Sequence, residues 1–239
     1  MLWGLSNARC AYPGCDQLLV ARATDKDRAA VLGEGAHIIA ISEVGPRGDS
    51  ELSEKDRNDY ENLILLCRHH HALVDGQPNS FTPDQLRGWK DSHEKQVLDL
   101  FREEVASIGF AELEVVTQLL LGPYEPEAED FEVLHQEEKL ERNGLSENVA
   151  ILLKIGELRA LDVRDFVDHM ASVDSGYPER LKRGFVEEYR RLQEAGESGD
   201  QLFESLREFA SGRSVEIRKQ AAGLAVLVYL FDLCEVFER

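Results

Sequence analysis

Two short stretches rich in cysteine and histidine, far apart in the chain, most constrain the fold. CAYPGC places Cys10 and Cys15 on either side of a Pro-Gly turn, and CRHH places Cys67 just before His70. Three thiolates and one imidazole suit tetrahedral Zn²⁺ with no position left open. The sequence therefore predicts a structural zinc site that pins the N-terminal segment against the start of a helix. The alternative is that these cysteines are separate core thiols. Cys234, alone in an apolar stretch, is predicted to be a core residue.

Cys67 is followed by a run of histidines that cannot all face one metal ion. Neighbouring helical side chains point about 100° apart, so if His70 faces the zinc, His71 faces elsewhere. Asp75 lies one helical turn beyond His71 on the same side. His71 and Asp75 are therefore predicted to form a half-site for a second metal ion, and His69 is predicted to be exposed.

The N-terminal part has the pattern of a mixed α and β domain. LWGLSNARC predicts a short helix, and GAHIIAIS and LILLC predict two strands. The polar stretch EVGPRGDSELSEKDRNDYEN between the strands predicts a loop. Thr82 as cap, Pro83 at the first helical position and Gln85 as the partner in a capping box predict a helix start.

Charge is unevenly distributed along the chain. The formal net charge is −19 at pH 7. Residues 1–102 hold 12 Lys and Arg against 16 Asp and Glu, whereas residues 103–239 hold 15 against 30. Because an acidic surface repels a phosphate backbone, any nucleic-acid site is expected in residues 1–102.

Beyond this first domain the pattern is mainly helical, so we expect an α+β N-terminal domain followed by a mainly α-helical one. The expected segments are a first domain at 1–102, an acidic, partly helical connector at 103–140 and a helical domain at 141–239. The final stretch EIRKQAAGLAVLVYLFDLCEVF is apolar nearly all round, which predicts burial in a helical core or a subunit interface. It is also a candidate surface for self-association or partner docking.

The sequence favours a cytoplasmic protein without a membrane partner. The start MLWGLSNARC lacks the basic segment and apolar core of a signal peptide. The longest apolar run, AAGLAVLVYLF, is shorter than the ~20 residues that a membrane span requires.

Part of this N-terminal sequence resembles a known family. AHIIAIS, followed by DYENLILLCRHHHALVD, resembles the motif of the HNH endonucleases, whose fold is the ββα-metal fold. The likeness covers roughly residues 3–98 and extends to HNH domains of bacterial anti-phage effectors. It implies that His37 is the general base, that Asn62 is the middle asparagine, and that His71 and Asp75 hold a catalytic divalent metal ion.

The resemblance also bears on the zinc set and shows one departure. Cys10, Cys15, Cys67 and His70 match the structural zinc ligands of a subgroup that usually has C-x2-C in both places. Ala36 stands directly before the predicted base, where many members carry a metal-binding Asp or His. The resemblance then implies that binding of the catalytic metal ion depends more on the remaining ligands and on oxygen atoms of the substrate.

The implied chemistry is hydrolysis of a phosphodiester bond. A neutral histidine, with an ordinary pKa of ~6.5, can take a proton from water, and His37 is the candidate. Asn62 would fix the loop and ring orientation of His37 or bind the metal ion directly. Mg²⁺ or Mn²⁺ is the expected catalytic ion. Without the other motif residues, His37 would be interpreted as an ordinary strand histidine.

Basic residues of the first domain are candidates for contacts with DNA phosphates, although each one taken alone is better explained as a solvated surface charge. Trp89 is predicted to pack rather than to stack on a base. The candidate cations are Arg9, Arg47, Lys55, Arg57, Arg68, Arg87 and Lys90.

The C-terminal part is similar to a second family. KLERNGLSENV, GFVEEYRRL, GDQLFESLREFASG and AAGLAVLVYLFDLCEVFE look like the C-terminal domain of effectors of ABC-three-component anti-phage systems, over roughly residues 105–239. The resemblance implies a partner ATPase of the ABC/SMC type and a homo-oligomer or hetero-complex.

Together these features predict a zinc-stabilised, metal-dependent HNH endonuclease that cuts DNA in anti-phage defence under control of an ATPase. One alternative is the nuclease subunit of a Septu-like or restriction system. The other is a non-catalytic module, in which the zinc-held fold serves only for DNA binding or assembly.

Overall fold

The computed structural model of the protein describes residues 2–21, 26–28, 30–48, 52–122, 136–233 and 237. The chain divides into two units, Met1–Asp99 and Leu100–Arg239. The first unit is α+β and the second is helical, as the sequence predicts.

The first unit contains short elements around one strand pair. In chain order they are α1 (Leu2–Leu5), β1 (Val20–Ala21), β2 (Ala30–Val31), β3 (Gly33–His37), α2 (Glu54–Arg57), a 3-10 turn (Tyr60–Asn62), β4 (Leu63–Cys67), α3 (Arg68–Gly76) and the first part of α4 (Pro83–Ser107). β1 pairs with β2, and β3 pairs with β4, both antiparallel. The β3–β4 register sets Gly33 opposite Cys67 and His37 opposite Leu63.

β4 is apolar throughout because it is buried on both faces. Ile64, Leu65 and Leu66 are all fully buried, which explains a continuous apolar run in place of an alternating one. Gly33 on β3 allows close packing, since a Cβ at this position would lie 2.6 Å from Cδ1 of Leu19. The strand pair therefore forms the centre of the core of this unit.

α3 begins at Arg68, directly after β4, because Cys67 caps it. The Sγ of Cys67 accepts a hydrogen bond from the backbone N–H of His70 at 3.4 Å. The helix contacts both β3 and β4, and its Val74 is fully buried. The order strand, strand, helix is the arrangement that the sequence predicts.

Two local details differ from the sequence prediction. β3 ends at His37, although GAHIIAIS predicts a longer strand. The N–H and the carbonyl of Ile39 bond instead with the side chain of Asn62, at 3.0 and 2.8 Å, so they cannot join a strand ladder. The predicted loop also contains α2, whose N-terminus is capped by Ser53 accepting from the N–H of Asp56 at 3.2 Å.

α4 starts where the sequence predicts. Thr82 accepts a hydrogen bond from the N–H of Gln85 at 3.3 Å, and Pro83 is the first helical residue. The boundary between the two units falls within this helix, after Asp99.

The second unit is a bundle of helices. Besides the last part of α4 it contains α5 (Phe110–Leu120), α6 (Gln136–Asn143), α7 (Glu147–Glu157), α8 (Ala160–Val173), α9 (Tyr177–Glu194), α10 (Gly199–Ala210) and α11 (Ile217–Leu233). Residues 123–135, in the predicted connector, and Cys234, predicted to be a core residue, lie outside the described residues.

α11 occupies the middle of this bundle. It contacts α5, α7, α8 and α10, and all its residues from Ala221 to Val228 are buried. Gly156 lets α7 approach closely, because a Cβ there would lie 2.4 Å from Cγ2 of Val228. Of the two predicted environments, the helical core is therefore correct. Because the stretch from Ala221 to Val228 is covered within one chain, it offers no exposed surface for docking.

No helix within the described ranges combines the length and the hydropathy that a membrane span requires.

A buried ion pair lies on α10. Arg207 donates to both carboxylate oxygens of Glu204, at 3.0 and 2.6 Å, and its guanidinium lies 5.3 Å from the ring centre of Phe101. Burial is the largest single influence and opposes the charged form of Glu204, but the charge and the hydrogen bonds of Arg207 together outweigh it and leave the pKa of the carboxyl below its ordinary value. Each charge therefore depends on the other.

Arg207→Met should destabilise the helical unit by about 3 kcal/mol, because it leaves the carboxylate of Glu204 buried without its partner. The double variant Glu204→Leu/Arg207→Met should recover most of that loss. In the parent, the stabilisation from the pair is present above the ordinary carboxyl pKa of roughly 4.3 and is lost as the pH falls through the lower folded value. Urea unfolding measures all three proteins, and equal stability of the parent and Arg207→Met would contradict the role of the pair.

Candidate functional site

The four predicted zinc ligands lie together in the first unit. The sulfur atoms of Cys10, Cys15 and Cys67 and one ring nitrogen of His70 all lie within 4.8 Å of one another. Nδ1 of His70 is 3.5 Å from Sγ of Cys10 and 3.2 Å from Sγ of Cys67. Bonds of about 2.3 Å to sulfur and 2.0 Å to nitrogen place tetrahedral ligand atoms roughly 3.5–3.8 Å apart. The donor set and its spacing therefore fit a closed tetrahedral metal site.

The electrostatics of this cluster favour a bound cation. Backbone N–H groups of Cys67 and His70 donate to the sulfurs of Cys10 and Cys67, at 3.3 and 3.4 Å, and such bonds stabilise thiolates. Burial nevertheless raises the pKa of the Cys10 thiol to about 12. A metal ion deprotonates a coordinating thiol outright. A bound cation would therefore stabilise the Cys10 thiolate, which burial alone disfavours.

Aromatic side chains fix the orientation of His70. The Tyr12 ring stacks on the imidazole with centroids 3.8 Å apart and planes 2° from parallel. Trp89 and Phe81 meet Tyr12 edge-on, at 4.9 and 6.5 Å. The prediction that Trp89 packs is therefore confirmed. His69, on the outer side of α3, is exposed as predicted.

His37 lies at the end of β3 with its side chain half-buried. Its Nε2 is 3.3 Å from Oδ1 of Asn58. The preceding Ala36 is fully buried and packs in the core. The position before His37 therefore offers no metal ligand, as the sequence indicates.

Asn62 is buried and holds the segment after His37. Its Oδ1 accepts from the N–H of Ile39 at 3.0 Å. Its Nδ2 donates to the carbonyls of Ile39 and Arg57, both at 2.8 Å. Because both ends of the amide bond with the backbone, this geometry favours the loop-fixing role over direct metal binding.

His71 and Asp75 lie together on α3. Nε2 of His71 is 3.2 Å from Oδ2 of Asp75. Sequence reasoning missed the second partner of this histidine, Glu34 on β3, whose Oε2 is 2.8 Å from Nδ1 of His71. The period of two along a strand puts Glu34 on the same face as Ala36, but only the structure shows that His71 meets it there.

Arg47 was predicted as a candidate phosphate contact, and that prediction is wrong. Its side chain is only 2% exposed. It donates to the carbonyls of Ile38 and Val74 at 2.8 and 2.7 Å. Its Nη2 donates to the carbonyl of His37 at 3.2 Å and to Oδ1 of Asp75 at 2.6 Å. Those two acceptor oxygens therefore lie within 5.8 Å of each other, the sum of the two distances.

Two further candidate cations are also buried. Arg57 donates to the carbonyls of Leu52 and Ile41 at 3.1 and 3.0 Å. Lys90 pairs with Glu94 at 2.7 Å and lies 3.3 Å from the ring centre of Tyr60. The candidates with more exposed side chains are Arg9, Lys55, Arg68 and Arg87.

Comparison with known families gives two matches. A family model described as HNH endonuclease matches residues 10–76. The model of C-terminal domain 10 of the ABC-three component (ABC-3C) systems matches residues 113–238, more than half of the chain. A search of curated proteins finds no significant match. Both resemblances seen in the sequence are therefore confirmed.

The role of the Cys3His cluster can be tested with cysteine variants. The purified protein should hold about one tightly bound zinc ion, as closed structural sites do. Cys10→Ser and Cys67→Ser should lose the ion and unfold the first unit, because metal binding contributes to its folding free energy. Cys234→Ser removes the cysteine that is not among the four predicted ligands and should keep the ion. Metal analysis and circular dichroism test this, and a folded protein free of metal would contradict it.

Proposed function

Because this chain belongs to the family defined by C-terminal domain 10 of the ABC-three-component systems and carries an HNH endonuclease domain before it, we propose that it is the DNA-cutting subunit of an anti-phage defence system. The observation that carries the proposal is the contact network at the end of β3. Arg47 bonds both the carbonyl of His37 and the carboxylate of Asp75. One guanidinium therefore links the backbone of the proposed base to one of the proposed metal ligands, which supports placing them in a single site.

The Cys3His cluster is proposed to hold Zn²⁺ in a structural role. Four protein ligands leave no position for substrate or water, so the ion takes no part in the reaction. It joins the CAYPGC turn to the start of α3.

His37 is proposed to be the general base. With Nε2 donating to Oδ1 of Asn58, Nδ1 is the nitrogen left to accept a proton from the attacking water. A neutral imidazole performs this transfer near neutral pH. Asn62 supports it by holding the backbone of Ile39, two residues further along the chain.

His71 and Asp75 are proposed to hold Mg²⁺ or Mn²⁺. Their donor atoms are 3.2 Å apart, and adjacent ligands of an octahedral ion with bonds of about 2.1 Å lie roughly 3 Å apart. The bound cation would stabilise the charge that builds on the phosphoryl oxygens and on the leaving oxygen. Arg47 orients the other oxygen of Asp75.

The substrate and partner follow from the two domains. The exposed cations Arg9, Lys55, Arg68 and Arg87 are proposed to contact DNA phosphates. The helical unit is proposed to be the docking or oligomerisation domain for an ABC/SMC-type ATPase, within a homo-oligomer or hetero-complex. Residues 103–239 carry 30 acidic against 15 basic residues, so the isolated chain should bind DNA weakly. The partner would supply the missing affinity.

One observation favours a second candidate function, a non-catalytic DNA-binding or assembly module. Ala36 supplies no ligand and is fully buried. Of the proposed catalytic-site residues, only His71 and Asp75 are then left to bind the divalent ion. A divalent ion would then bind weakly or not at all. The following experiment separates the two functions.

His37→Ala should lower DNA cleavage by about 10²–10⁴-fold, the usual contribution of a general base. The protein should stay folded with its metal content unchanged. His69→Ala, which removes an exposed histidine outside the proposed site, is the matched control and should cleave like the parent. Nicking of supercoiled plasmid in Mg²⁺ or Mn²⁺, with and without the ATPase, measures the effect.

Cleavage by His37→Ala at the parental rate would show that another group is the base. Failure of the parent to cleave with every ion and with its partner would favour the non-catalytic module.

A further inference from the structure

Glu34 occupies an unexpected place beside the proposed metal ligands. It lies on β3, three residues before His37, and its carboxylate is about half exposed. One oxygen is 2.8 Å from Nδ1 of His71. The other is 3.7 Å from the Nε of Arg68. The shorter contact is the one that reaches the site.

The two nitrogens of His71 face two different carboxylates. Nδ1 faces Glu34 at 2.8 Å, and Nε2 faces Asp75 at 3.2 Å. An ionised carboxylate only accepts hydrogen bonds, and the contact at Nδ1 is the shorter of the two. A divalent ion between Nε2 and Asp75 needs the lone pair of Nε2, so in that arrangement Nδ1 is the nitrogen that donates to Glu34. The lone pair of Nε2 is then directed at Asp75, on the side where the divalent ion is proposed.

In the same geometry, Glu34 reaches the proposed ion only through His71. The ring nitrogens point in different directions, so an ion bound at Nε2 lies away from the carboxylate at Nδ1. Glu34 and Ala36 lie on one face of the strand, roughly 6.6 Å apart along it. Glu34 therefore cannot stand in for the ligand missing at Ala36, but it can strengthen the ligand that remains.

We propose that Glu34 is a positioning residue, which fixes the tautomer and ring orientation of His71 and raises the basicity of its Nε2 toward a divalent ion. Carboxylates that accept from the far nitrogen of a metal-binding histidine act in this way. This inference rests on the proposed function, because it concerns the ion held by His71 and Asp75. It also gives a reason why the proposed ion could bind although alanine stands before the base.

The competing interpretation is a surface ion pair, in which Glu34 only neutralises Arg68 or a protonated His71. Such pairs contribute little to stability and would not set a tautomer. Glu34→Gln separates the two, because an amide oxygen still accepts Nδ1–H although the charge is lost. Glu34→Ala removes both the acceptor and the charge. Arg68→Ala removes the other contact of Glu34 and is the matched control.

The experiment uses the full-length, zinc-loaded protein and two readouts. Long-range ¹H–¹⁵N NMR, above the ordinary histidine pKa of roughly 6.5, reports the His71 tautomer, and His71→Ala identifies the signal. Calorimetric titration with Mn²⁺ gives the affinity for the second ion.

The parent and Glu34→Gln should both carry the proton on Nδ1, whereas Glu34→Ala should not favour that tautomer. Mn²⁺ affinity should fall about 10–100-fold in Glu34→Ala, fall less in Glu34→Gln and stay at the parental value in Arg68→Ala.

Three outcomes would overturn the inference. If the parent carries the His71 proton on Nε2, Glu34 does not set the tautomer, and this result needs no variant to fold. If the parent binds Mn²⁺ and cleaves DNA while Glu34→Ala binds Mn²⁺ equally well, only the role of Glu34 fails. If the parent binds no second ion and never cleaves, the proposed function fails as well.

Discussion

The Cys3His cluster sets the rotation of α3, and the rest of the site depends on that rotation. With Nδ1 of His70 turned toward the sulfurs of Cys10 and Cys67, the next residue points about 100° away. His71 therefore meets Glu34 on β3, and Asp75, one turn later, meets Arg47. This cluster, whose proposed ion would take no part in the chemistry, thus decides which side chains face the strand pair.

Buried polar side chains, rather than apolar packing alone, fix the backbone around the site in the first unit. Asn62 makes three hydrogen bonds with backbone atoms, and Arg47 makes four to backbone and carboxylate. Each such bond contributes only about 0.5–1.5 kcal/mol net for the neutral Asn62 and about 1.5–3 kcal/mol for the charged Arg47, but removing either side chain leaves several buried groups unpaired. The segment after His37 is therefore fixed by two side chains that never contact the proposed metal ion.

The sequence allowed some of these features to be predicted and not others. Ligand chemistry and helical spacing are local, so the cysteine–histidine set and the neighbouring His71 and Asp75 could be found without a structure. Arg47 could not, because charged residues are mostly exposed and its burial depends on carbonyls from distant segments. The early end of β3 could not be predicted for the same reason. It depends on a distant side chain, Asn62, which bonds the N–H and the carbonyl of Ile39. The burial of α11 within one chain could not be predicted either, because apolarity alone does not distinguish a core from an interface.

The account places a structural zinc ion and a catalytic divalent ion at two separate sites. The most direct test is a crystal structure of the zinc-loaded protein soaked in Mn²⁺, with anomalous diffraction recorded at the zinc and the manganese absorption edges. The account predicts zinc among Cys10, Cys15, Cys67 and His70, and manganese between Nε2 of His71 and Oδ2 of Asp75. Manganese bound elsewhere, or zinc absent from the cysteine cluster of a folded protein, would contradict it.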